Sequence, residues 1–267
     1  MSYYSLISMM PKAPALDPDA QAFITAAAIT DSTQQNAINT LVLDLKSNAL
    51  WSKTYAIYPI VGGTASQHKY NLKDPRDLDA AFRLHYATGV NHSATGMVGN
   101  GTTGFANTFF NPTTEGVNID NYGVGCNSLT DLVALVVDMG GRQLPLVGAT
   151  QMLIRYSGNT YQFRINNNNA GTLTSTGATT SIGNFGMNRL NSTQVRFTIN
   201  GTTAVFSQAS GTLQNDTTFL MALSTSGTAS AFSTREYTFF RIHQGLTDSE
   251  EATFQTIITN FNTTLGR

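Results

Sequence analysis

Four glutamates, Glu115, Glu236, Glu250 and Glu251, are all that this chain of 267 residues offers of that acid for carboxylate chemistry. Cleaving a glycosidic bond needs two carboxylates flanking it, about 5–5.5 Å apart for retention and roughly 6.5–9.5 Å apart for inversion. On a single strand such acids commonly recur as E-x-D-x-x-E, and no such triplet occurs here. Glu250 and Glu251 fall in the first turn of a helix signal, and Glu236 has no acidic residue two positions away. The sequence assigns no catalytic residue, and the chain reads as a non-enzyme.

Two oxygen-rich groups invite a test for calcium, a hard cation that takes carboxylate, amide and carbonyl oxygens. In the first, Asp77 and Asp79 would share a strand face, but Asp74 precedes Pro75 in a turn, and Lys73 and Arg76 are interleaved. The alternative is a solvated turn. The second is Asn118, Asp120 and Asn121. His68, His85, His92 and His243 show no metal-ligand spacing, and His243 is expected to be a satisfied, half-buried strand residue. No metal ligand and no cofactor is assigned. A G-x-S-x-G elbow is absent, and the glycines at 62–63 and 99–104 match neither phosphate-binding nor dinucleotide-binding loops. Tyr122, Tyr156, Tyr161 and Trp51 could stack on sugar rings, but aromatic residues at strand positions usually pair across the sheet. Ligand-binding residues therefore stay unassigned.

Composition narrows the classes further. Charged residues make up 12% of the chain, about half the usual share of roughly 25%. Thr, Ser, Asn, Gln and Gly fill the polar positions, as in a durable β-protein held by backbone and hydroxyl hydrogen bonds. A net charge of −1 and a pI near 6.4 give no footprint for nucleic acid or an anionic membrane. The single Cys126 cannot close an intrachain disulfide and reads as a small apolar filler. Asn91, Asn100, Asn191, Asn200, Asn215 and Asn262 fit the N-x-S/T pattern, as chance predicts in an Asn- and Thr-rich chain. The N-terminal stretch lacks an early basic region and an unbroken apolar run, and no segment reaches membrane-spanning length. The expectation is a soluble protein made in a cytoplasm.

The elements that must carry these residues are legible in part. Residues 1–16, with Pro11 and Pro14, read as an extended arm. Asp17-Pro18 opens one helix and Asp31 a second, giving an αα-hairpin. Trp51, Tyr55, Ile57 and Tyr58 follow as a strand-like segment ending at Pro59. Leu78, Ala80, Phe82 and Leu84 alternate as a strand would. The apolar run Leu132–Val137 predicts a central strand. Met152, Ile154 and Tyr156 turn through 157–159 into Tyr161, Phe163 and Ile165, and the Ser157–Thr180 segment otherwise reads as polar rim loops. Val195, Phe197 and Ile199 meet Asn200-Gly201, a two-residue hairpin signal. Phe219, Met221 and Leu223 predict another strand, and Tyr237–His243 the last. Thr247 and Glu250 then form a capping box, with Asp248, Glu250 and Glu251 favoured by the helix dipole. Phe254, Ile257, Ile258, Phe261 and Leu265 make one buried stripe, expected to finish the sandwich core, and Gly266 closes the helix. Short strands at intervals of about ten residues indicate a sandwich or barrel.

From residue 85 onward, GNGTTGFANTFFNP, RFTINGTTAVF and FFRIHQGLTDSEEATF resemble the pieces of a laminin-G/concanavalin A-like jelly roll. The fold implied is mainly β, a jelly-roll sandwich with an N-terminal helix pair and a C-terminal helix. Its organisation would be an arm at 1–16, a helical hairpin and linking strand at 17–60, and the sandwich at 61–267. Ahead of it, DPDAQAFITAAAITDSTQQNAINTLVLDLKSNALW and AIYPIVGGTASQHKYNLKDPRDLDAAFRL resemble a segment found before such sandwiches in bacteriophage structural proteins. That resemblance implies a virion component such as a fibre, spike, tail or capsid-decorating protein, assembled in the bacterial host. Its partners would be other virion proteins, further copies of itself (a homotrimer being one such arrangement) and host-surface glycans. A soluble carbohydrate-binding module is the alternative.

Overall fold

The computed structural model describes residues 15–145, 147–167 and 173–267. Among the described residues four α-helices form: α1 (Pro18–Ala26), α2 (Ser32–Ser47), the single turn α3 (Ala65–His68) and α4 (Asp248–Thr264). Their starts follow from side-chain caps. Asp17 accepts from the Asp19 N–H at 3.0 Å and Asp31 from the Gln34 N–H at 2.8 Å. At α4 the reciprocal box is complete, with Glu250 N–H donating to Thr247 Oγ1 and Thr247 N–H to Glu250 Oε2. Thr247→Ala is expected to lower stability by about 1 kcal/mol, read by urea denaturation; no loss would show that water satisfies the freed N–H equally well. Of the expected arm, residues 1–14 lie outside the described residues, and Leu16 packs on the helices.

Two sheets stack face to face. The first runs Thr202–Ser207, Gln194–Ile199, Gly183–Arg189, Tyr122–Ser128, Glu236–His243, Met97–Gly99, Val90–His92, and Thr54–Pro59 also pairs antiparallel with Glu236–His243. The second runs Leu173–Thr176, Thr160–Asn167, Val147–Ser157, Met139–Gln143, Phe219–Leu220, Ala106–Asn107, His85–Tyr86. Leu223–Thr225 joins it parallel to Met139–Gln143 and pairs with Thr228–Ser230. Between the sheets lies the main core, including Tyr122, Val124, Cys126, Phe185, Phe197 and Phe240 from one side and Met152, Ile154, Tyr161 and Phe163 from the other.

A second core covers the other face of the first sheet. There Ile57 and Phe239 meet Phe23, Ile38, Leu41 and Leu45 of α1 and α2 and Phe254, Ile257, Ile258 and Phe261 of α4. The stripe of α4 is buried as expected, but it builds this outer core and does not complete the one between the sheets. Strands in the middle of the first sheet are thus buried on both faces.

Beneath α4 that burial includes an ion pair. Arg241, in the last strand, donates to Glu251, and both are at most 1% exposed. Asn188 Nδ2 (3.1 Å) and Gln255 Nε2 (2.7 Å) complete the carboxylate, and Arg241 lies 4.3 Å from the Phe254 ring centroid. Strand glycines make the space: a Cβ on Gly125 would sit 2.5 Å from Arg241 Nε, and one on Gly186 would sit 2.1 Å from Glu251 Oε1. Sequence reading places Glu251 only in the helix cap; the fold places it in the interior.

Several expected strands take other forms. At 78–84, Asp79–Ala81 is a 3-10 turn and Leu78 is exposed. The Phe82 backbone is left-handed (φ 60°), which swings its ring onto Phe110 at 5.0 Å. The run Leu132–Val137 is irregular, with Val133 and Leu135 in solvent and Val137 buried. Side chains hold this run in place of a ladder: Arg235 donates to Leu132 O, and Leu132 N–H donates to Ser181 Oγ. Met221 at φ 64° splits the 219–223 segment into two short strands, and Trp51 sits in a 3-10 turn ahead of Thr54–Pro59. Leu173–Thr176, expected as rim loop, is an edge strand paired with Thr160–Phe163; residues 168–172 of that loop lie outside the described residues. Among the described residues no helix is long and apolar enough to cross a membrane.

Candidate functional site

The residues that suggested chemistry from sequence are mostly occupied elsewhere. Asp74 takes two hydrogen bonds from Arg76, at 2.7 and 2.5 Å, and Asp77 is paired with Lys69 and Arg83. These donors hold both carboxyls below the usual range, and Asp79 pairs with Arg83 at 2.8 Å. Their negative charge is answered by side chains, so the arrangement is the solvated turn. Asn118 Oδ1 accepts the Asp120 N–H, and Asn121 Oδ1 accepts the Gly245 N–H. Among the described residues no group of three or more His, Cys, Asp or Glu could hold a metal ion.

Tyr122 and Tyr161 are core residues. Tyr122 lies parallel to Phe110 and Tyr161 stacks on Phe197 at 4.5 Å. Tyr156 is half-buried beside Val137, Leu153 and Leu223, and Trp51 carries Lys73 Nζ 3.8 Å from its ring centroid. Cys126 is buried, and burial pushes its thiol well up. Glu115 is exposed, and Glu236 accepts from Thr95 Oγ1 at 2.6 Å. Asn262 is buried in α4, while Asn91, Asn100, Asn200 and Asn215 are exposed.

The histidines differ from expectation. His243 is fully buried, with Nδ1 2.7 Å from Gln244 O and no partner on Nε2. Burial and then Arg241 push it down to about 4. His68 and His92, 24 residues apart, face each other with Nδ1 atoms 2.9 Å apart, and Tyr86 packs edge-on against His92. Burial, His92 and Arg267 push His68 down to about 3, and burial lowers His92. Both are therefore neutral near pH 7, and one Nδ1–H donates to the other ring.

A concave surface forms where no motif pointed, around the tip of the Gln194–Ser207 hairpin. Asn200 and Gly201 both have positive φ, 46° and 82°, as a two-residue turn of this kind demands. Asn200 Oδ1 accepts the Asn184 N–H at 2.8 Å, its Nδ2 donates to Ile182 O, and Gly201 N–H donates to Gln255 Oε1 at 2.7 Å. The tip is thereby tied to the neighbouring strand and to α4. Three depressions share Asn200 as a wall. One of about 200 Å³ lies against α4 at Asn184, Gln255, Thr256 and Thr259. A second of about 330 Å³ continues past Asn127, Ser128, Asn262 and Thr263 to Arg267. The third, about 380 Å³, lies over Tyr161 and Phe197 with a rim of Thr176, Thr180 and Thr202.

The chemistry of this groove is uniform. Amides and hydroxyls line it over a partly apolar floor, and among the described residues the one charged lining residue is Arg267. An amide chain fixes its base: Thr238 Oγ1 donates to Asn127 Oδ1, Asn127 Nδ2 to Asn184 Oδ1, and Asn184 Nδ2 to Thr259 Oγ1. Such a surface can offer neutral hydrogen bonds to a polyhydroxylated ligand, and among the described residues no pair of acids lines it. Sequence reading missed it because its lining comes from five separated segments. The available signal was the recurrence of Asn at strand ends: Asn127, Asn184 and Asn200.

No protein-family model matches the chain, and no curated protein matches it. Solved structures do. Domain 4 of AbnA, an extracellular GH43 arabinanase from Geobacillus stearothermophilus, is similar with a TM-score of 0.51 and 13% identity, over 76% of this chain and 98% of that one. The botulinum neurotoxin serotype D binding domain gives 0.50 with 9% identity, over 77% of this chain; the match spans about half of the toxin domain's length (52%). Domains LG4-5 of the mouse laminin alpha1 chain give 0.33 with 15% identity, over 46% of this chain and 35% of that one. Of these, the toxin domain is described as a binding domain, and domain 4 of AbnA was solved in complex with arabinotriose. With the two sheets, the N-terminal helix pair and α4, the likeness to the AbnA domain and the toxin domain places the fold as a concanavalin A/laminin-G-like jelly-roll sandwich.

Proposed function

We propose that the chain is a non-enzymatic carbohydrate-binding protein whose ligand lies in the groove around Asn200. The observation that carries this reading is the lining itself: amides and hydroxyls fixed by a hydrogen-bonded base. Concave sites with a few fixed polar groups over an apolar floor are the usual form of small-ligand sites. Domain 4 of AbnA, which shares the fold, was solved in complex with arabinotriose.

Thr256 and Thr263 are exposed groove residues on α4. Thr256→Trp and Thr263→Trp fill the groove from outside and are expected to weaken glycan binding tenfold or more, about 1.4 kcal/mol. Their unfolding free energies should stay within about 0.5 kcal/mol of the parent. Isothermal titration against the best ligand from a glycan array checks this. A blank array across plant, bacterial and mucosal glycans, or unaltered binding in both variants, removes the reading.

A second reading is favoured by the resemblance of residues 17–84 to bacteriophage structural proteins: a virion fibre, spike, tail or capsid-decorating component, homo-oligomeric and attached to other virion proteins. The two are compatible, since a virion component can bind host-surface glycans. Mass spectrometry of purified particles tests it, and absence of the chain from the particle ends it.

A further inference from the structure

Two groups at the Arg267 end of the groove are built in but unused. Arg267 is clamped by three carbonyls: Nη1 donates to Ala94 O (3.1 Å) and Thr95 O (2.6 Å), and Nη2 to Ile60 O (2.7 Å). Its Nε–H is shielded from solvent and has no partner. No carboxylate among the described residues forms an ion pair with it. Glu236 contributes only at longer range, and its Oε1 accepts from Thr95 Oγ1. In the same depression Asn262 is 5% exposed, and its Oδ1 is an acceptor without a donor. Leaving a buried donor or acceptor unmatched costs about 1–3 kcal/mol, and both residues line the depression.

The two demands differ in sign. A fixed guanidinium with no carboxylate in contact calls for an anion, and a planar carboxylate suits it best. A free amide oxygen calls for a hydroxyl or N–H donor. A sugar unit bearing a carboxylate beside ring hydroxyls supplies both on one ring. About 330 Å³ is available, enough to admit one such ring. We propose that the Arg267–Asn262 depression is a subsite for a carboxylate-bearing sugar unit, the rest of the oligosaccharide running along the neutral groove past Asn200. This rests on the carbohydrate-binding reading and adds the ligand's charge and orientation to it. Burial lowers Arg267 to about 10, so it stays cationic at neutral pH.

The test is calorimetric titration of the full chain with two trisaccharides of one linkage, one neutral and one ending in a uronic acid, with free glucuronate and an acidic tripeptide alongside. The acidic trisaccharide is expected to bind at least tenfold more tightly than the neutral one, and the preference is expected to shrink at 1 M salt. Asn262→Asp, which sets a carboxylate in the depression, and Arg267→Gln should collapse the ratio towards one. Arg267→Lys should keep most of it. Thermal unfolding of each variant separates lost preference from lost fold. Equal affinity for both trisaccharides overturns the acidic subsite and leaves carbohydrate binding standing. Binding of neither overturns both. The acidic tripeptide binding as tightly as the acidic trisaccharide overturns the assignment to sugar.

Discussion

Glu251→Ala is expected to lower the unfolding free energy by about 3–5 kcal/mol. The substitution leaves Arg241 charged, fully buried and without its carboxylate, and it strands Asn188 Nδ2 and Gln255 Nε2 as well. Water cannot easily enter, because Phe254 covers the guanidinium and the pair fills the space that Gly125 and Gly186 leave. The pair itself need not stabilise the fold, since bringing both charges out of water offsets most of their attraction. Arg241→Met combined with Glu251→Leu is therefore expected to recover most of the loss. Urea denaturation of the two single variants and the double variant gives the coupling directly. A single-variant loss below about 1 kcal/mol would mean that α4 lifts and hydrates Arg241, and the groove wall it forms would then be mobile.

Acid is expected to destabilise the protein steeply between about pH 6.5 and pH 4. Burial places His68 at about 3 and His243 at about 4, and it lowers His92. In the unfolded chain all three titrate near 6.5. Their neutral forms are favoured by the fold, so this stability is present above 6.5. Below it the unfolded chain binds protons that the fold refuses, and stability falls until the folded values are reached. Each group contributes at most about 1.4 kcal/mol per pH unit. Ordinary carboxylates are still ionised over the upper part of this window, which isolates the histidines there. His68→Asn with His92→Asn should flatten the slope between pH 6 and 5 in denaturation curves. An unchanged slope would show that the pair admits a proton without opening.

Local signals were legible in the sequence, and those that depend on distant segments were not. The α4 capping box and the Asn200-Gly201 turn are set within four residues, and both appear as read. The Leu132–Val137 run failed because apolar content alone does not make a ladder: Arg235, some hundred residues away, takes the Leu132 carbonyl. At 78–84 the alternation was real, but Asp77 and Asp79 found Lys69 and Arg83 and the backbone turned to suit them. The Arg241–Glu251 pair had a faint signature, an arginine inside FFRIH and glycines alternating through Tyr122–Ser128. Its meaning depends on the helix that covers them. The groove is less local still, since Asn127, Asn184, Asn200 and Asn262 meet only once the first sheet and α4 are assembled.

The pairing of Thr54–Pro59 with Glu236–His243 sets an order of events during synthesis. The helix pair and its following strand leave the ribosome first, yet the strand that receives them is made about 180 residues later. Until then α1 and α2 hold an apolar face with no sheet beneath it, and the last strand, once made, must enter between Thr54–Pro59 and Tyr122–Ser128. Contacts this far apart in the chain make closure slow. The early segment is thus exposed to chaperones and to neighbouring nascent chains until the last strand is made.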